Sequence, residues 1–165
     1  YIADRITDFL EEKGVSSAVI NLGGNVAVLG SKEDGSPWNI GIERPYSDRT
    51  EVIGSLEAID ATVVTSGTYE RKFEENGVLY HHVLDPATGY PAQTDLESVT
   101  ITAKRGNSAF CDGLSTVCLI SGMEKAQALV RELQEKYPEM ELEAAFIDKD
   151  DDMVQTDGMK IKPVD

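Results

Sequence analysis

The sequence predicts an α+β domain in which a mixed, mainly antiparallel sheet packs with helices. Three observations predict it. Short apolar runs bounded by Gly, Pro, Asn and Asp recur along the chain, which is the pattern of strands joined by tight turns. Helical spacing of apolar residues opens the chain and returns in two consecutive stretches after residue 107. Asn76-Gly77, the favoured pair for a two-residue type I′ turn, stands between two strand-like runs.

Ile2, Ile6, Phe9 and Leu10 lie at helical spacing and Gly14 is the stop, which predicts a first helix with those four as its apolar stripe. Residues 17–22 and 26–30 read as strands joined by Gly23-Gly24-Asn25. A turn over residues 32–37 leads to a third strand at 38–42, and residues 52–59 and 61–65 are two more. With Asn76 and Gly77 as the two loop residues, Phe73 falls opposite Tyr80, Arg71 opposite His82, Tyr69 opposite Leu84 and Lys72 opposite His81. Arg71 and His82 then share one face, and the Lys72 and His81 face, with Glu70 and Glu74 beside it, is expected to be the more solvated. Residues 98–104 form a strand, Asn107 is expected to cap a helix running to Ser121, and Gly122 ends it. A further helix covers residues 123–136 on a stripe of Ala126, Leu129, Val130 and Leu133. A strand at 142–147, an acidic turn over 148–152 and a strand near 153–156 close the reading. The Asp run lacks the fixed Gly and terminal Glu of a calcium loop and reads as a plain turn.

Composition sets outer limits. With 165 residues, 41% of them hydrophobic, the chain is long enough for a real core. Fifteen Lys and Arg against thirty Asp and Glu give a net charge of -15, which argues against nucleic acid as a partner. No apolar run reaches the roughly 18 residues of a membrane span. Cys111 and Cys118 lie seven apart in one predicted helix, so about 10 Å separates them, too far for a disulfide. No repeat, linker or low-complexity tract divides the chain, and no pattern reports an oligomeric state. Because residue 1 is Tyr and already reads as helix, residues 1–165 are expected to be the C-terminal part of a longer domain.

Four segments carry candidate chemistry. Asp112, Ser115 and Thr116 share a helix face in an otherwise apolar sequence that is expected to be buried almost all round. A carboxylate there must be satisfied either by a hard cation such as Mg²⁺, which accepts carboxylate, hydroxyl and carbonyl oxygen, or by Lys, Arg or backbone N–H groups. In the strand after Gly77, His81 and His82 point to opposite faces, so at most one serves a given site. His82 beside Arg71 suits a phosphate; a half-buried histidine bonded to the sheet is the alternative. Asp85, before Pro86 and ahead of Thr88-Gly89, is expected to organise a turn. Ser66 and Gly67 end a strand in small residues that can face an anion, and Gly24 permits close backbone approach.

These segments, in this order, resemble the FAD:protein FMN transferase (ApbE) family. The matching stretches are residues 1–5, 21–25, 37–42, 65–71, 82–91, 98–102 and 112–116, so the likeness runs to about residue 130. The resemblance implies an enzyme that binds FAD and Mg²⁺ and moves FMN onto a threonine of a redox partner protein, releasing AMP. Hydrolysis of FAD to FMN and AMP, or flavin carriage without turnover, are the alternative activities. It further implies that Asp112 and Thr116 ligate Mg²⁺ with the backbone oxygen of Ser115 nearby, that His82 is the catalytic histidine beside the flavin and its phosphates, and that Val83 lines the flavin pocket. Ser66, Gly67, Arg71 and Gly24 complete the expected FAD contacts. Members of the family are longer, and their N-terminal half implies further ligand contacts, an extracytoplasmic location and a lipoprotein membrane anchor. Cys111 and Gly113 replace the alanines usual around the metal-binding aspartate, a change conservative in volume.

Overall fold

The computed structural model of the chain describes residues 1–46 and 51–163. Helix α1 (Ile2–Glu12) leads into a hairpin of β1 (Ala18–Asn21) and β2 (Asn25–Leu29), turned by Gly23 and Gly24 at φ of +73° and +78°. Strands β3 (Trp38–Glu43), β4 (Val52–Ala58) and β5 (Ala61–Gly67) follow, then the hairpin β6 (Lys72–Glu75) and β7 (Val78–His81), and β8 (Leu96–Lys104). Helices α2 (Ser108–Ser121) and α3 (Met123–Lys136) and a 3₁₀ turn at Pro138–Met140 precede β9 (Glu143–Asp148), β10 (Met153–Gln155) and β11 (Lys162–Pro163).

The strands sort into three sheets, and every ladder among the described residues is antiparallel. Six strands pair in the order β1-β2-β5-β8-β9-β10, three in the order β11-β4-β3, and β6-β7 stand apart. One face of the six-stranded sheet is covered by helices: Val64, Leu96, Val99 and Ile101 pack against Cys111, Leu114, Cys118 and Leu119 of α2 and Ala126 and Val130 of α3. The other face is covered by the three-stranded sheet, where Val28, Val63 and Ile147 meet Ile42, Leu56 and Ile161. The sequence pattern predicts only the helical cover. The second layer explains why Val26–Leu29 is a continuous apolar run rather than an alternating one: both sides of β2 are buried.

Local differences have local causes. In α1 the inward residues are Ala3 and Thr7, with Ile6 and Leu10 beside them, while Ile2 and Phe9 of the expected stripe are 65% and 55% exposed. The small Ala3 lets the helix sit close on Ile20 and Ala27. Asn107 occupies the N-cap of α2, but its amide donates back to the Lys104 carbonyl at 2.9 Å. The Ser108 N–H donates instead to Asp4 Oδ1 of α1 at 3.1 Å, so one helix caps the next. Hydrogen bonds from Ser108 outweigh the effect of partial burial and hold the Asp4 carboxyl below its ordinary range.

The Asn76-Gly77 turn forms with both residues at positive φ, and Phe73 pairs with Tyr80 and Lys72 with His81, as the register requires. The stacked rings of Phe73 and Tyr80 lie 5.1 Å apart. The ladder does not continue to Tyr69 and Leu84; Leu84 bridges Pro91 instead, because the chain folds back at once through the Asp85 turn.

Candidate active site

Three hydroxyls gather where β5 ends beneath α2. Residues 62, 64 and 66 of β5 face the helix, so Ser66 is presented to it. Ser66 Oγ lies 2.7 Å from Ser115 Oγ and 3.2 Å from Thr116 Oγ1. Both α2 hydroxyls donate to the Asp112 carbonyl, Ser115 at 3.0 Å and Thr116 at 3.2 Å. With those two protons committed, Ser66 supplies the proton of the short Ser66–Ser115 contact, and of the two helix hydroxyls Ser115 is fully buried while Thr116 is only partly covered. The i, i+3, i+4 spacing of Asp112, Ser115 and Thr116 therefore builds one patch of oxygen donors.

Asp112 itself departs from expectation, for its residue is exposed rather than sunk in an apolar setting. Helix α2 is not buried all round: Phe110 and Val117 are 38% and 48% exposed on its outer side. The cost of a buried charge is thus no argument here. Among the described residues no Lys, Arg or backbone N–H bonds the Asp112 carboxylate, so it stands open to an outside ligand. Nor does any group of three or more His, Cys, Asp and Glu side chains among them form a metal cluster. The donor set still fits a hard divalent ion, since Mg²⁺ takes one or two carboxylates with oxygen from water and phosphate making up the rest. Cys111 and Cys118 offer nothing: both are buried, and burial pushes their thiols up to about 12.

The two histidines divide as strand geometry demands but with solvation reversed. His82 is exposed, and its N–H donates to the Arg71 carbonyl at 3.1 Å, which sets these two exposed residues together at the end of the hairpin. His81 is the half-buried one; burial lowers its pKa, as does its proximity to His82, and its Nδ1 is buried with no hydrogen-bond partner among the described residues. The reversal arises because the Lys72 and His81 side of the hairpin leans on the body of the domain. Val83 is only 6% exposed and packs in the cluster that holds Leu114, which ties the His82 segment to the middle of α2. Asp85 organises its turn as expected, with Oδ1 accepting from Ala87 N–H at 2.8 Å.

Gly24 and Gly67 are shaped by close approach within the chain. A Cβ on Gly24 would lie 3.0 Å from the Thr65 carbonyl, and the Thr65 N–H donates to Gly24 O at 2.7 Å. A Cβ on Gly67 would enter the Tyr69 ring. Sequence reasoning missed a second polar group. Tyr46 OH donates to Glu97 at 2.7 Å and lies 3.2 Å from Thr68 Oγ1, and Thr68 also bonds the Glu97 carboxylate. With His81 and Lys149 they line a cavity of about 320 Å³. Tyr46 and Glu97 are far apart in sequence, and no local pattern joins them.

The architecture is shared with solved ApbE structures. The crystal structure of the ApbE protein of Thermotoga maritima superposes with a TM-score of 0.78 at 32% identity, covering 95% of this chain and 48% of that one. The apo flavinyl transferase ApbE of Pseudomonas stutzeri gives 0.70 at 34% identity, covering 94% and 46%. The class is thus an ApbE-like α+β domain. In sequence, the ApbE family profile matches residues 1–140, and the chain belongs to that family. It is 39% identical over 162 residues to the FAD:protein FMN transferase of Klebsiella pneumoniae (strain 342), which covers 98% of this chain and 47% of that protein. The enzyme of the same name from Treponema pallidum (strain Nichols) is 42% identical over 140 residues, covering 80% and 38%. The chain spans less than half the length of these relatives.

Proposed function

We propose that the protein containing this chain transfers FMN from FAD to a threonine hydroxyl of a redox partner protein, with Mg²⁺, and releases AMP. The observation that carries the reading is the oxygen patch of Ser66, Ser115, Thr116 and the Asp112 carbonyl beside an Asp112 carboxylate that no described residue pairs with. Asp112, Thr116 and Ser115 would hold Mg²⁺, which supplies the charge neutralisation that makes the FMN phosphorus attackable and AMP a better leaving group. A chain of net charge -15 otherwise repels a pyrophosphate, so a cation site is a requirement of the chemistry.

The remaining roles fall to the hairpin. The acceptor threonine Oγ forms the new P–O bond as the bond from the same phosphorus to AMP breaks, and AMP leaves with that oxygen. His82, exposed at the end of the hairpin, takes the proton of the attacking hydroxyl. Arg71 stands beside it as a guanidinium for the phosphate oxygens. The test is incubation of the full-length protein with FAD, Mg²⁺ and a candidate redox protein, followed by intact mass. A mass gain equal to FMN on the partner is expected. Free FMN and AMP without a modified partner would make the protein a pyrophosphatase, and FAD bound but unchanged would make it a carrier.

A further inference from the structure

The hairpin that carries His82 and Arg71 belongs to neither large sheet, and residues 71–79 are all exposed. Something other than ladder hydrogen bonds must therefore fix its position. The contact is on its His81 side. Lys72, the cross-strand partner of His81, places its ammonium 3.6 Å from the centre of the Tyr46 ring. The same ring tilts against Tyr69 at 5.9 Å between centroids. Its hydroxyl donates to Glu97, which also accepts from Thr68, while the Thr68 N–H donates to the Glu97 carbonyl at 3.0 Å. Glu97 lies in β8, and Thr68 directly follows β5. A continuous bracket thus runs from the hairpin through Lys72 and Tyr46 to the two central strands of the main sheet.

We infer that Lys72 and Tyr46 are positioning residues that hold the β6-β7 hairpin so that His82 and Arg71 face the reaction. The inference rests on the proposed transfer reaction for its kinetic readout. Strand alternation gives the logic: Lys72 and His81 point toward the body, so the load is borne on one face while Arg71 and His82 remain free on the other. An ammonium over a tyrosine face is held by the ring quadrupole, and the ring is held by its hydroxyl on Glu97. Small displacements of a reacting group reduce turnover more than they weaken substrate binding.

The experiment uses the full-length protein. Lys72→Ala is expected to lower kcat for FMN transfer on the order of tenfold with KM for FAD little changed. Lys72→Arg, whose guanidinium also stacks on a ring, should restore most of it. Tyr46→Leu should reproduce the loss, and the double variant should be no worse than either single one, because both break the same bracket. Additive losses, a raised KM for FAD, or no rescue by arginine would overturn the inference by making Lys72 a phosphate contact instead. A second readout does not depend on turnover: the His82 imidazole NMR signal should shift in Lys72→Ala and return toward wild type in Lys72→Arg. Absence of transfer by the wild type would defeat the proposed reaction, and the His82 signal would then decide the bracket alone, an unmoved signal overturning it.

Discussion

Ser66 at the end of β5 and Ser115 in the middle of α2 meet hydroxyl to hydroxyl at 2.7 Å. This contact pins the helix face of Asp112 to the strand, and Ser115 is fully buried, so the bond is shielded from water. Ser66→Ala leaves Ser115 bonded to the Asp112 carbonyl and is expected to cost only about 1 kcal/mol. Thermal melting would check this. A loss well above that figure would mean that the hydroxyl patch is a structural keystone rather than a local contact.

Asp112→Ala should behave in the opposite way. The residue is exposed and no described group pairs with its carboxylate, so stability should change by no more than about 0.5 kcal/mol. Mg²⁺-dependent FMN transfer should disappear. Intact mass of the acceptor and a melt of the same preparation measure both, and undiminished transfer would sink the metal assignment.

What could be read from the sequence was what local chemistry decides. Asn76-Gly77 fixes its own turn and therefore the register that sets His82 beside Arg71. The spacing of Asp112, Ser115 and Thr116 needs only helical geometry to share a face. What escaped depends on partners distant in the chain. The solvation of Asp112 and His81 is not legible in the sequence, because exposure is set by which layer covers a face, and neither periodicity nor composition encodes that. The two-residue strand Lys162–Pro163 pairs with Ser55 and Gly54, and its length leaves no pattern to detect. Tyr46 follows β3 and Glu97 stands near the start of β8, in different sheets, and only the tertiary fold brings them within hydrogen-bond distance.

His81 makes stability sensitive to acid. Burial, with the neighbouring His82, lowers its folded pKa beneath the ordinary 6.5, so the unfolded chain binds the proton more readily. Its stabilising contribution is present above pH 6.5 and is lost as the pH falls through the folded value. His81→Gln removes the titration without adding charge. Melting temperatures taken between about pH 7 and pH 5 should therefore fall less steeply in the variant than in the wild type. Parallel curves would show that His81 is as well solvated folded as unfolded.

Gly24 and Gly23 separate turn strain from close approach. Both sit in the left-handed region, at φ of +78° and +73°, so alanine at either should cost about 1–2 kcal/mol from backbone strain alone. A Cβ on Gly23 meets nothing within 4 Å, whereas one on Gly24 lies 3.0 Å from the Thr65 carbonyl. That carbonyl belongs to the residue before Ser66, and the Thr65 N–H is already bonded to Gly24. Gly24→Ala must therefore push β5 away at the point where the hydroxyl patch begins. It should melt lower than Gly23→Ala and, alone of the two, reduce FMN transfer. Equal melting points would mean that β5 yields at no cost, and Gly24 would then matter only as a turn residue.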